Sequence, residues 1–153
     1  MFAQKQSQRS FQQDHTEGKE GERQSFPFLK KFSKHTLVWM DDVYAPWDFE
    51  ASDVVIEHKN RFVDSDTYKT AMIKYLKVQR AEKEQRTSYF VFRYTNGIFY
   101  IKYKKSLFDT FHTDVKKIEN RSDYTEKEEK RIYIPIPLLK CLVKFQEKPL
   151  FVD

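Results

Sequence analysis

Asp48, Glu57 and Lys59 are the residues whose types and spacing suggest chemistry. They lie in the stretch Pro46-Trp47-Asp48-Phe49-Glu50-Ala51-Ser52-Asp53-Val54-Val55-Ile56-Glu57-His58-Lys59-Asn60-Arg61. Val54-Val55-Ile56 is β-branched throughout and predicts a strand running on through Lys59. Residues two apart in a strand share a face, so Glu57 and Lys59 project together while His58 points the other way. If 43–51 and 54–62 form a hairpin closed at Ser52-Asp53, Asp48 falls directly opposite Glu57 on that same face. Converging carboxylates repel unless a cation joins them, and an oxygen-only pair suits Mg²⁺ or Mn²⁺. The Lys59 ammonium beside them could orient a water or steady charge on a phosphate. A charge within so apolar a strand must be paired or metal-bound, unless the strand is an edge whose Glu57 and Lys59 face water. His58 reads as a packing histidine, and His15, His35 and His112 lack the spacing of zinc ligands.

The elements that must position these residues follow from the flanking patterns. Phe26, Phe28, Leu29 and Phe32 recur at helical spacing and predict a short helix over 20–34, with Pro27 in its first turn. A strand-like run covers 36–40 and a second extended segment 43–50. Asp64-Ser65-Asp66 offers helix caps, and Tyr68, Met72, Tyr75 and Leu76 follow at i, i+4, i+7 and i+8, so a helix is expected over 66–86. Two aromatic runs at 88–94 and 98–104 flank Thr95-Asn96-Gly97, which predicts a hairpin with a type I′ turn at Asn-Gly. Residues 113–130 are charged of both signs and poor in apolar side chains, as in an exposed loop or solvated helix. Residues 131–137 read as an edge strand because of Pro135 and Pro137. Residues 138–145 fit either a helical turn or a last strand.

Composition narrows the class further. The chain has 153 residues, 39% hydrophobic and 16% aromatic, enough for one small core. A single Cys excludes a disulfide framework and a cysteine-built zinc site. Cys141, inside an apolar run, is expected as a buried inert thiol. No membrane span or signal segment is apparent, so an intracellular, cytoplasmic protein is expected. The net charge of +5 is uneven. Between Lys59 and Lys105 twelve Lys or Arg face four Asp or Glu, so the rest of the chain is net negative. A basic middle interleaved with Tyr and Phe suits a polyanion, although a merely solvated basic surface gives the same pattern.

Asp48 followed by Glu57-His58-Lys59, with an Arg at 61, resembles the PD-(D/E)xK nuclease superfamily, and most closely its small phage and resolvase-type members. The supporting features are Asp48-Phe49, the Glu57–Arg61 strand, the Tyr68 to Lys77 segment, and Asn96-Gly97-Ile98-Phe99-Tyr100-Ile101. The resemblance spans about residues 20–104. Trp47 separates Pro46 from Asp48, so the literal Pro-Asp is absent, and Asp41, Asp42 or Asp53 could take its place, with Asp53 ranking second. The family implies a mixed α/β, restriction-endonuclease-like core of helix, three strands, helix and strand hairpin. It also implies that the Gly21-Glu22 pair supplies an auxiliary Glu22, and that Lys77, with Gln79 a weaker candidate, lies near the phosphate.

The organisation expected is a flexible polar tail over 1–19 and one nuclease-like domain over 20–153. The function expected is Mg²⁺- or Mn²⁺-dependent DNA endonuclease activity, with Asp48, Glu57 and Lys59 catalytic and Asp48 and Glu57 holding the metal. Arg61, Lys69, Lys74, Lys77 and Arg80 are expected to grip DNA, which branched or structured substrates would satisfy. A phage-infected host cell is the setting this resemblance implies, and members of this kind usually cut as homodimers. The alternatives are a non-catalytic OB-type module of a telomere or replication complex, and an assembly subunit of a virion or ribonucleoprotein.

Overall fold

A computed structural model describes residues 11–119 and 126–146. Its centre is a six-stranded sheet built around β3 (Val54–Asn60). β1 (Val38–Trp39), β2 (Phe49–Glu50) and β3 run as an antiparallel meander. β5 (Thr87–Tyr94) then lies parallel to β3, and β6 (Gly97–Lys102) and the edge strand β9 (Lys140–Lys144) complete the order β1-β2-β3-β5-β6-β9. Three further strands, β4 (Thr70–Lys74), β7 (His112–Glu119) and β8 (Glu126–Pro135), form a separate antiparallel sheet in the order β4-β8-β7. The helices are α1 (Phe11–Leu29), α2 (Tyr75–Lys83) and the single turn α3 (Lys105–Phe108). The fold is mixed α+β.

Two cores cover the two faces of the larger sheet, and strand alternation assigns the residues. Val55, Phe90, Phe92 and Ile101 pack with Val78 and Ala81 of α2 and with Ala71, Ile73, Ile132 and Ile134 of the smaller sheet. Val54, Ile56, Val91 and Ile98 pack with Phe49 and Leu29, and Phe26 and Phe32 lean on them. β3 is therefore buried on both sides, which explains its unbroken apolar start. No described helix is long and apolar enough to cross a membrane.

Several expectations need correction. The first helix begins at Phe11, so residues 11–19 are helical rather than tail; their Gln, Glu and Lys are good helix formers. Residues 1–10 lie outside the described residues. Pro27 sits in the last turn of α1, where its missing N–H and ring end the helix two residues later, and Lys30–Phe32 continue as a 3-10 turn. Of the extended segment 43–50, only Phe49–Glu50 is strand.

The helix expected over 66–86 is only Tyr75–Lys83, because Thr70–Lys74 pairs with β8 instead. Tyr68 and Leu76, which anchored the helical spacing, are 68% and 58% exposed. The expected charged loop is a long β7–β8 hairpin in which opposite charges face each other at Lys116↔Glu129, Lys117↔Glu128 and Asp114↔Arg131. β8 is consequently central rather than an edge, with Pro135 its final residue.

The hairpin at 95–97 turns on Thr95-Asn96, not Asn96-Gly97. Gly97 already pairs with Tyr94 and does not hold a left-handed φ. Its missing side chain is needed for another reason, since a Cβ there would lie 2.5 Å from the Val143 carbonyl oxygen of β9. Cys141 is exposed, because β9 is an edge strand.

Candidate active site

The β2–β3 turn delivers the first two carboxylates. Ala51 N–H donates to the Val54 carbonyl at 2.8 Å, closing a two-residue turn at Ser52-Asp53. The paired register runs through Glu50↔Val55 to Phe49↔Ile56 and stops there, so Asp48 lies just outside the ladder rather than in register opposite Glu57. At Asp48 the regular ladder ends. Its own N–H donates to the Ile56 carbonyl at 3.0 Å, while its Oδ2 accepts the His58 N–H at 2.7 Å.

Glu57 is 3% exposed and is held by two ammonium groups. Lys59 Nζ lies 3.3 Å and Lys77 Nζ 3.0 Å from the same oxygen, Oε1. Lys77 comes from the first turns of α2, so the site joins the β3 strand to the helix that follows it. The other end of α2 braces the segment leading to Asp48. Arg80 Nη1 donates to the Pro46 carbonyl, and Trp47 Nε1 donates to Glu84 Oε2 at 3.3 Å.

The third carboxylate approaches from α1. Gly21 lets that helix close on β3, since a Cβ there would lie 2.7 Å from Asn60 Cγ. The neighbouring Glu22 is 6% exposed and accepts from Trp39 Nε1 and Lys19 Nζ, each at 3.3 Å. Lys19 also donates to the Met40 carbonyl at 2.8 Å. Burial raises the Glu22 pKa, with the charge of Glu57 adding to it against Lys19 and Trp39.

Asp48 feels the crowding most. Burial pushes its pKa up to about 7, and the charges of Glu57 and Glu22 add to the rise, against the His58 N–H and Lys59. Among the described residues, no three His, Cys, Asp or Glu side chains are grouped closely enough to hold a metal ion. The available donor set is therefore Asp48 and Glu57, with Glu22 a third charge acting at longer range. One or two carboxylates are what Mg²⁺ ordinarily takes from protein, keeping its other positions for water and phosphate. The residues present fit such an ion.

His58 does pack as expected. Its Nε2 lies 2.8 Å from Ser25 Oγ on the α1 side of the sheet, and burial lowers its pKa to about 3, with Arg93 and Lys59 contributing. Asp53 accepts from Ser33 Oγ at 2.5 Å and stands in the turn, while Asp41 and Asp42 are exposed; none of the three joins Glu57. Gln79 is exposed.

The expected DNA-gripping set is dispersed. Lys69 is an exposed loop residue before β4, and Lys74 ends β4 with its Nζ 3.3 Å from Glu129 Oε1. Arg61 donates to the Met72 carbonyl, Lys77 is committed to Glu57 and Arg80 to Pro46. Only Lys77 and Arg80 share a helix. Sequence reading missed Lys19 and Trp47. The Lys19–Glu22 spacing of three was a visible helical pair signal, whereas nothing local marks Trp47 as a brace.

Among known proteins, no family model, no curated protein and no solved structure matches this chain.

Proposed function

We propose that the protein is a divalent-metal-dependent DNA endonuclease with a PD-(D/E)xK-type site on a restriction-endonuclease-like core. The single observation that carries this reading is the buried Glu57 with Lys59 and Lys77 both on its Oε1, beside an Asp48 carboxylate tied to the N–H of the next residue, His58. The order of α1, an antiparallel three-strand meander, then β4 of the smaller sheet, α2 and a strand parallel to β3 supports it. Mg²⁺ or Mn²⁺ held by Asp48 and Glu57 would supply a Lewis acid that lowers the pKa of a bound water.

The chain's own residues do the remaining work. Burial first, and then the charges of Glu57 and Glu22, raise the Asp48 pKa, and a divalent cation there would favour the ionised carboxylate. Lys59 and Lys77 place two ammonium groups where a phosphodiester's developing charge would lie. Asp48, tied to the His58 N–H, cannot drift from β3. Burial of Glu22 and Trp47 limits water on the flanks. The surplus of positive charge between Lys59 and Lys105 draws the polyanion in.

The test is Mg²⁺-dependent nicking of linear and branched duplex DNA by wild type and Glu57→Ala. Cleavage by wild type and none by the variant is expected, with DNA binding retained. Equal cleavage by both proteins would end the nuclease reading. Binding without cleavage by either would favour a nucleic-acid-binding module.

A further inference from the structure

We propose that a pocket farther along β3 accepts a single nucleobase from an unpaired stretch of a DNA strand; the proposal rests on DNA being the substrate. Arg61 follows Glu57 and Lys59 at the two-residue spacing of one strand face. At about 3.3 Å per residue it stands about 13 Å from Glu57, close enough for one strand to reach both. The pocket encloses about 300 Å³ and is lined chiefly by Arg61, Tyr68, Thr70, Met72, Tyr94 and Tyr133. That is at the small end of ligand sites, room for one planar ring and not for a duplex.

Its walls are held by their own hydrogen bonds and ring packing. Arg61 is locked onto the Met72 carbonyl, which leaves the rest of its guanidinium plane for stacking or hydrogen bonding. Tyr94 is 4% exposed, with its ring stacked 6.4 Å from Phe92 and edge-on to Phe99 at 5.8 Å. The Tyr133 hydroxyl donates to Asp114 Oδ2 at 2.9 Å, and its ring lies 5.6 Å from the His112 ring. Tyr68 differs from these, being 68% exposed at the rim, where it can close over an inserted base. Lys69 beside it is exposed and suits the flanking phosphate.

Tyrosine faces with an arginine plane are the chemistry that holds unpaired bases, because every base has a π face. A phosphate alone would gain nothing from the accessible rings of Tyr68 and Tyr133, whereas Tyr94 belongs to the core. An apolar protein side chain inserted here would gain nothing from the exposed Lys69 beside Tyr68. Both points favour a nucleotide.

Fluorescence anisotropy on the metal-free full chain tests this with a short single-stranded DNA oligonucleotide and its abasic counterpart. Wild type should prefer the base-bearing strand by roughly tenfold. Tyr68→Ala should lose most of that preference, Tyr68→Phe should keep it, and Tyr44→Ala, outside the pocket, should leave it unchanged. Equal affinity of wild type for both strands, or a full preference in Tyr68→Ala, would overturn the proposal. Glu57-dependent cleavage of duplex DNA without any base preference would remove the pocket and leave the nuclease reading standing. Base preference without metal-dependent cleavage would do the reverse.

Discussion

The Asp48 carboxylate accepts the backbone N–H of His58, the residue between Glu57 and Lys59, at 2.7 Å. One side chain thereby stands in for the strand ladder just before β2 begins. The carboxylate cannot move without disturbing the strand that carries its two neighbours.

The raised Asp48 pKa has a definite consequence for stability. The carboxyl moves from 3.8 to about 7 on folding, so its favourable contribution is complete below the lower value and is lost as the pH rises through the upper one. His58 acts in the opposite sense, since its pKa falls from 6.5 to about 3 and its contribution is lost as the pH drops through that window. Asp48→Asn removes only the first effect and retains an acceptor for His58. In metal-free melts the variant should therefore gain on wild type as the pH rises from about 4 to above 7. A difference independent of pH would refute the assignment.

Metal should be visible without any cleavage assay. Mg²⁺ or Mn²⁺ should raise the Tm of wild type, and Glu57→Gln should abolish that gain, by about 2.7 kcal/mol at a hundredfold excess over Kd. Equal stabilisation of both proteins would place the ion elsewhere.

The salt dependence of DNA binding should follow the cations not already committed to carboxylates. Lys69→Ala is expected to reduce the slope of log K against log salt by about one. Lys74→Ala should reduce it by less, because Lys74 pairs with Glu129. The reverse ranking, read from salt-titrated anisotropy, would reassign the contact surface.

Gly97→Ala should destabilise by roughly 1–3 kcal/mol in chemical denaturation, since the new methyl meets the Val143 carbonyl and β9 must shift. An unchanged midpoint would mean that β9 does not seat against β6 as described.

The β2–β3 register was legible because a two-residue turn fixes the pairs Glu50↔Val55 and Phe49↔Ile56, and alternation puts Val55, Glu57 and Lys59 on one face; the break at Asp48 leaves no mark in the sequence. Thr70–Lys74 was not legible as a strand, because Met72, Tyr75 and Leu76 satisfy a helical period and the deciding partner lies some sixty residues on, in β8. The β7–β8 hairpin was hidden for a related reason. Its stabilising charge pairs lie across strands and leave no period along either one. Lys77 was placed near the phosphate only by family resemblance; the contact with Glu57 is a tertiary fact. The dispersal of the basic residues follows directly from losing the long helix that was to align them.

The seam between the two sheets has a dynamic corollary. Lys77 sits on a helix that continues directly from β4, whereas Glu57 belongs to the larger sheet, and among the described residues no strand ladder joins the two sheets. Partial opening of the smaller sheet would withdraw one ammonium and loosen the α2 brace on Pro46 while β3 and β5 stay paired. Amide exchange should then divide into two cooperative units, with the protection of β4 and β8 falling below that of β3 and β5. On the proposed function, cleavage would track the weaker unit and cease well short of global unfolding.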